Sequence, residues 1–476
     1  MFSKKRANKD GSTIWRCEQT DSDKCRVCVK TEVAAGVVRF MTPEHVGDHT
    51  HMPRPEHVLR EEARASVRNR ASTQEAEQVC TVVASELQGF NEQQAPTAPS
   101  ARSLKQAAWR QRSSDSSKKL KLSEEAAAAT QLGMCTTLAD LDLPQQLVDF
   151  KTRTTSETFL MHDSGPETGE RRFLIFGLQR NIDMLKQSHV WLSDGTFSQA
   201  PALFKQLYTV HAYDAGYVMP CAFALLPRKD KPQYRTFWKV LQQKTGLDQE
   251  DAAMPLLLTD FEQAAYKAAQ EAMPGMEVGG CFFHFRQAIH KHVQMCGLIS
   301  EYSASDAFRL RIATIACLAF LKPEHVPATF RKVAAEAESQ EQQWLMEYIE
   351  ETWVGSTMPG GRCKAPTFPL EMWSLHSRFS SGTLRTTNAC ERFHRQFAAF
   401  NAGAPHPSVP KFIGMLHKQQ ALTNIDMGQA MIGHEKAEKA VSSKRNMAIT
   451  KLMRLYVDGK ACPHTTAVNL AYHYLE

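Results

Sequence analysis

The stretch Met254–Asp260, MPLLLTD, constrains this chain more than any other. A short apolar run without polar alternation suits a strand buried on both faces, and such strands occur where helices cover both sides of a sheet. Its flanks agree. YRTFWKVLQQKTG upstream and FEQAAYKAAQEAMPG downstream have the apolar spacing of amphipathic helices, and EVGGCFFHF reads as a further strand. Before them, HVWLSDGTF, LFKQLYTVHAY and VMPCAFALLP are apolar segments separated by turn residues, so they predict an antiparallel meander. RRFLIFG reads as a strand and NIDMLKQS as a helix. Three strands, helix, strand, helix, strand is the order of an α/β domain with a mixed sheet.

The chain has 476 residues, more than one ordinary core accommodates, so two or three domains are expected. A net charge of +6 and a pI near 8.6 are mildly basic and compatible with nucleic acid. MFSKKRANKD has no apolar run of the kind a secretory signal needs. The longest apolar stretch, Ile312–Leu321, is too short to cross a bilayer. The expectation is a soluble intracellular protein without membrane association, whose 12 cysteines are thiols or metal ligands rather than disulfides.

Four regions follow. Residues 1–55 carry three short strand-like segments, TIWRCEQ, KCRVCVKTEV and GVVRFMT, too few for a large core. Residues 56–140 are helical at first, then a basic, Ser/Pro-rich linker. Residues 141–430 hold the α/β pattern, interrupted by a wholly helical stretch at about 286–384, and residues 431–476 read as a helical tail.

In the first region, Cys17 and Cys25 are followed by His49 and His51, and two Cys with two His suit tetrahedral zinc. Cys28 makes a C-x-x-C with Cys25, so the ligand set has an alternative. Trp15-Arg16-Cys17, Lys24-Cys25 and His49-Thr50-His51 resemble the FLYWCH zinc finger. That resemblance implies a zinc-stabilised β module that binds DNA or protein, and a true N-terminus upstream of Met1.

Three carboxylates carry the candidate chemistry. Asp194 precedes Gly195, a strong hairpin signal. Asp260 has Gln263 three residues on, and Asn388 has Glu391, so each pair could be a capping box. His394 falls one helical turn beyond Glu391. Singly, a turn and two caps account for them. As an ordered set they do not. Asp194-Gly195-Thr196-Phe197, Gln206-Leu207-Tyr208, Asp260-Phe261-Glu262, Cys281-x-x-His284, and Asn388 with Glu391 and His394 together resemble the transposase domain of Mutator-like elements.

The resemblance implies a ribonuclease-H-like fold with a large helical insertion, and an Asp194/Asp260/Glu391 triad binding Mg²⁺ or Mn²⁺. It implies metal-dependent DNA strand cleavage and transfer on double-stranded transposon ends and target, a homo-oligomer, nuclear localisation and no organic cofactor. The alternative is a domesticated relative that binds DNA or chromatin without cutting. Thr387 departs from the family, which often has Asn there. Cys281, His284 and His394 are accessory, since Cys and His are poor ligands for Mg²⁺. Trp373, with Trp353 nearby, is a candidate to stack on an unpaired base, though both also suit a core. Arg385 and a basic cluster, Arg102, Lys105, Arg110, Arg112, Lys118, Lys119 and Lys121, are candidate DNA contacts.

Overall fold

The structure, a computed structural model, describes residues 2–7, 13–17, 28–34, 37–40, 55–73, 79–88, 90, 98–101, 103–105, 107–108, 137–151, 155–249, 251–357, 363–380, 388–434 and 440–475. The chain divides into two compact units, Met1–Glu75 with Thr97–Lys118, and Ala76–Pro96 with Lys119–Glu476.

The first unit carries a four-stranded antiparallel meander of β1 (Phe2–Ala7), β2 (Thr13–Cys17), β3 (Cys28–Ala34) and β4 (Val37–Phe40). One strand more than expected is present. β1, FSKKRA, is an edge strand rich in Lys and Arg, which protects an open edge from pairing with other chains and hides the strand from apolar pattern reading. Helix α1 (Pro55–Thr73) begins on a proline, whose missing N–H costs nothing in a first turn. It buries Ala63, Val67 and Ala71, one stripe at a spacing of four. Leu104 and Ala108, from the Ser/Pro-rich stretch, are buried as well, and Arg64 donates to Ser103 Oγ at 3.2 Å.

The second unit is built on a seven-stranded mixed sheet. Its strands are β7 (Leu160–Asp163), β8 (Leu174–Phe176), β9 (Val190–Thr196), β10 (Gln206–Asp214), β11 (Tyr217–Leu226), β12 (Leu256–Thr259) and β13 (Val278–Gly280), with β5 (Asp149–Lys151) and β6 (Ser156–Thr158) forming a separate small pair. The spatial order is β13-β12-β9-β10-β11-β8-β7. β9, β10 and β11 form the expected antiparallel meander, and β12 and β13 run parallel to β9. The β10/β11 register slips between Val210 and His211, and Cys221 is the extra residue. The slip lies beside Pro220, which cannot donate to a ladder, and β8 pairs only with the later part of β11.

One correction concerns EVGGCFFHF. Only Val278–Gly280 is strand, and a helix runs from Phe282 to Met295. The Cys281 amide donates to Thr259 O at 2.8 Å and closes the ladder, and Phe282 and Phe285 then bury one helical face.

One face of the sheet, carrying Trp191 and Tyr208, packs on α2 (Gln179–Gln187), α3 (Lys231–Thr245) and α4 (Gln263–Ala272). Tyr208 meets Tyr234, Phe237 and Trp238 edge to face at 5.2, 5.5 and 6.0 Å. The other face carries α5 (Asn388–Ala399) and α6 (Val409–Met431), where Phe397 and Phe412 lie 5.7 Å apart and Phe412 reaches Phe176. Between β13 and α5 the described residues are mostly helical, as expected. The apolar run Ile312–Leu321 is buried among these helices, and the helix Pro463–Ala471 packs against it. No helix among the described residues is long and apolar enough to cross a membrane.

Candidate active site

Register brings the two aspartates together. β12 pairs with β9 through Leu256↔Val190, Leu257↔Trp191 and Leu258↔Leu192. β12 ends at Thr259, and Asp260 follows it two residues beyond the Leu192–Leu258 pair, close enough for the Asp194 charge to raise its carboxyl. Aligned residues of neighbouring strands point to one face, and the strands lie about 4.8 Å apart. Leu192 and Leu258 identify that face, because they form one buried cluster with Cys390 of α5. The face that leads to Asp194 and Asp260 is thus the face that α5 covers.

α5 is held there by Cys390, Phe393 and Phe397, at spacings of three and four. The Phe393 ring lies 5.1 Å from His211 of β10 and 5.9 Å from Phe223 of β11. Glu391 and His394 share one edge of the helix. His394 Nδ1 stands 3.4 Å from Asp194 Oδ2, and His284 Nε2 stands 3.7 Å from Glu391 Oε1. Three carboxylates and two imidazoles, from β9, the end of β12, the helix after β13 and α5, therefore share one neighbourhood.

The turn reading of Asp194 and the cap reading of Asp260 do not hold. Asp194-Gly195 lies inside β9, paired with Thr209 and Tyr208, and the chain reverses only after Phe197. A Cβ at Gly195 would sit 2.8 Å from Gln206 Oε1, so any side chain there obliges the Gln206 amide to move. Asp260 does not cap with Gln263. Its Oδ1 accepts the Glu262 amide at 3.1 Å, while Gln263 accepts from Lys267. α5 is already helical at Asn388, which puts Glu391 in its first turn.

The electrostatics separate the three acids. Asp194 is buried, which opposes its charge, but the hydrogen bond and charge of His394, then the charge of His284, hold its carboxyl below the usual range. Asp260 is raised by burial first and then by the Asp194 charge, against the Glu262 amide and His284. Glu391 is raised by burial and Asp194, with His284 opposing. His284 is disfavoured by burial, but the Cys281 sulfur, then Asp194 and Asp260, outweigh it and raise the imidazole to about 9. Behind the site, His211 is fully buried and pushed down to about 3, so it is neutral. It contacts Thr209 Oγ1 at 2.9 Å, and that hydroxyl donates to Asp194 O at 3.2 Å.

Arg378 is a residue sequence reading missed. Its buried guanidinium donates to Gly280 O at 3.0 Å and to Ser374 O at 2.9 and 3.1 Å. It ties the end of β13, next to Cys281, to the segment before α5. Burial lowers its pKa to about 10, against the charges of Cys281 and Glu277. An isolated Arg in HSRFS carries no signal of this role.

Of its two readings, Trp373 takes the core one. It is 2 % exposed, its ring stacks on Phe285 at 4.7 Å, and its indole donates to Trp353 O at 3.0 Å. Trp353 is equally buried, so neither ring offers a face to a base. Arg385, Lys118, Lys119, Lys121, Cys25, His49 and His51 lie outside the described residues, as do Arg102, Arg110 and Arg112, and Cys17 is described only as the last backbone position of β2.

The donor set suits a hard divalent cation, since carboxylate oxygens are the ligands Mg²⁺ and Mn²⁺ take. Among the described residues nothing donates to Asp260 Oδ2, and burial beside Asp194 leaves this carboxylate short of positive charge. Among the described residues, however, no group of three or more His, Cys, Asp or Glu side chains is set to hold a metal ion as it stands. Asp194 and Glu391 face imidazoles, and ligation requires these contacts to be exchanged.

Residues 190–288 match the MULE transposase domain. The match runs from β9 into the helix Phe282–Met295, so it contains Asp194, Asp260, Cys281 and His284 and stops short of Glu391. It marks this stretch as transposase-related, with DNA as the partner that such a domain implies. No curated protein and no solved structure matches the chain.

Proposed function

We propose that this protein is a DNA transposase that cuts and joins DNA strands with Asp194, Asp260 and Glu391 as ligands for Mg²⁺ or Mn²⁺. The observation that carries this reading is the convergence of Asp194 and Asp260, which follow the Leu192–Leu258 pair of β9 and β12 on the face that α5 covers and act on each other's charge. The sheet order supports a ribonuclease-H-like core: an antiparallel meander with two strands added in parallel beside its first strand. The helices between β13 and α5 are then the insertion. The N-terminal meander is read as a FLYWCH-type module with zinc on Cys17, Cys25, His49 and His51, and the protein as a nuclear homo-oligomer.

The chemistry that a bound divalent ion supplies here is activation of the attacking oxygen and stabilisation of the leaving oxygen at phosphorus. The chain's own residues prepare for it. His394 keeps Asp194 ionised in a buried place. The Glu262 amide orients Asp260 and leaves its second oxygen free. α5 brings Glu391 over the sheet edge, where His284 balances its charge. Cys281, with Arg378 behind it, fixes the start of the helix that carries His284.

The test is cleavage. Purified protein with Mn²⁺ and terminal-inverted-repeat DNA gives nicked ends, and Asp194→Ala abolishes them while DNA binding persists. Binding without cutting by the unaltered protein refutes the transposase reading and leaves the domesticated one.

A further inference from the structure

Charge is unevenly placed along this chain. Between Val333 and Gly361 lie six glutamates and no Lys, Arg or His, although the net charge is +6. Within that stretch, the helix Gln340–Ile349 buries Leu345, Met346 and Ile349 and turns Glu341, Trp344 and Glu347 outwards. Trp344 is 52 % exposed. His292 stacks on Tyr348, and Gln342 Nε2 donates to Glu301 Oε1 at 2.6 Å, so this acidic helix runs antiparallel to the helix Phe282–Met295. Trp344 lies between these two contacts on one segment, and Met295, 67 % exposed, lies between them on the other. Lys291 borders the face, but the glutamates outnumber it. An exposed indole among carboxylates repels a polyanion such as DNA and suits a protein surface that carries cations.

The helix Ala440–Val457 has the opposite character. Its sequence, AVSSKRNMAITKLMRLYV, holds four cations and no acid. Ile449, Met453 and Tyr456 bury its inner side, which turns Lys444, Met447, Lys451 and Arg454 outwards at spacings of three and four. Met447 is 63 % exposed. Among the described residues no carboxylate pairs with Lys444, Lys451 or Arg454, and no cation pairs with Glu341 or Glu347. Each helix thus presents an apolar side chain between charges of one sign, and the two signs are opposite.

We propose that the face around Trp344 docks the helix Ala440–Val457 of a second copy of this chain, with Met447 against the indole and Lys444, Lys451 and Arg454 beside Glu341 and Glu347. Each face complements the other and repels its own kind, so the contact joins unlike faces of two copies. The inference rests on the homo-oligomer reading and requires no DNA cutting.

The experiment is sedimentation of the full chain without DNA, over a range of protein concentrations and at low and high salt. The unaltered protein associates, and high salt weakens the association. Glu341→Lys with Glu347→Lys sets like charges against the basic helix and weakens association by about ten-fold or more, as does Lys451→Glu with Arg454→Glu. Mixing the two reversed proteins restores association. Trp344→Ala weakens it by about ten-fold or more, as removal of a central tryptophan anchor does. The substituted side chains are exposed, so melting temperatures stay close to that of the unaltered protein. A monomer at every concentration overturns the docking and the homo-oligomer reading together. Association indifferent to the reversals, or not restored by mixing, overturns the docking and leaves the oligomer. Lys451→Glu with Arg454→Glu that weakens DNA binding while association is unchanged makes the basic helix a DNA contact and also overturns the docking.

Discussion

Replacing Asp260 by Asn should make the protein more stable and inactive at once. Asp260 follows the end of β12 beside β9 and feels the Asp194 charge, so one strand spacing, about 5 Å, sets the scale of their separation. Two like charges at that separation repel by about 3 kcal/mol at an effective dielectric of 20. Asp260 is partly exposed and His284 offsets part of the repulsion, so removing its charge should return about 1–3 kcal/mol. The sign follows from linkage. The Asp260 carboxyl is raised in the folded state, so its contribution favours folding at low pH and turns unfavourable as pH rises from the unfolded value towards the folded one. At neutral pH the wild type carries that cost and the Asn variant does not. For the larger unit of roughly 380 residues, the unfolding entropy is about 0.8 kcal/mol/K, so the melting temperature rises by about 1–4 °C. Calorimetry in EDTA measures it. Adding Mn²⁺ to 100 times its dissociation constant should stabilise the wild type by about 2.7 kcal/mol and leave Asp260→Asn unmoved. A variant that melts below the wild type in EDTA, or that still responds to Mn²⁺, would falsify the assignment of Asp260 as a ligand crowded by Asp194.

Two other substitutions probe the frame. His394→Ala removes the group that keeps the buried Asp194 charged, so the Asp194 carboxyl should rise, and stability at pH 7 should fall by about 1.5–3 kcal/mol. Because the Asp194 pKa is depressed in the folded state, its contribution is present above the unfolded carboxylate value and is lost as pH falls through the folded one. Urea melts at pH 7 and pH 3 should show the variant's deficit shrinking at the lower pH. Phe397→Ala empties the joint between α5 and α6 and should cost about 3–5 kcal/mol, with Mn²⁺ affinity falling alongside it because Glu391 rides on α5. An undiminished Mn²⁺ response in a folded Phe397→Ala protein would separate Glu391 from the metal.

The meander β9–β11 and the buried strand β12 were legible because their apolar runs are plain, as in LLLT and QLYTVHAYD, whereas the three- and four-residue strands β5, β6 and β7 carry no such run. The site was legible only as an ordered set. Taken locally, Asp194-Gly195 is a turn signal, and it was overridden because β10 pairs across it. The Asp260 cap was displaced because the helix starts at Gln263 itself, after Glu262. The pairing of β9 with β12 that brings Asp260 near Asp194 joins segments more than sixty residues apart, and no local pattern encodes it. CFFHF looked like strand because aromatic, β-prone residues also serve as the buried stripe of a short helix. Arg378 stayed hidden because its partners are backbone carbonyls, which leave no trace in side-chain pattern.

The most direct test of the central claim is anomalous diffraction from crystals soaked in Mn²⁺. The account predicts manganese density touching both Asp194 and Asp260 at about 2.0–2.2 Å, with His394 no longer on Asp194 and Glu391 turned from His284. Crystals saturated with Mn²⁺ that show no peak between these two aspartates, and keep both imidazole pairs intact, would contradict it.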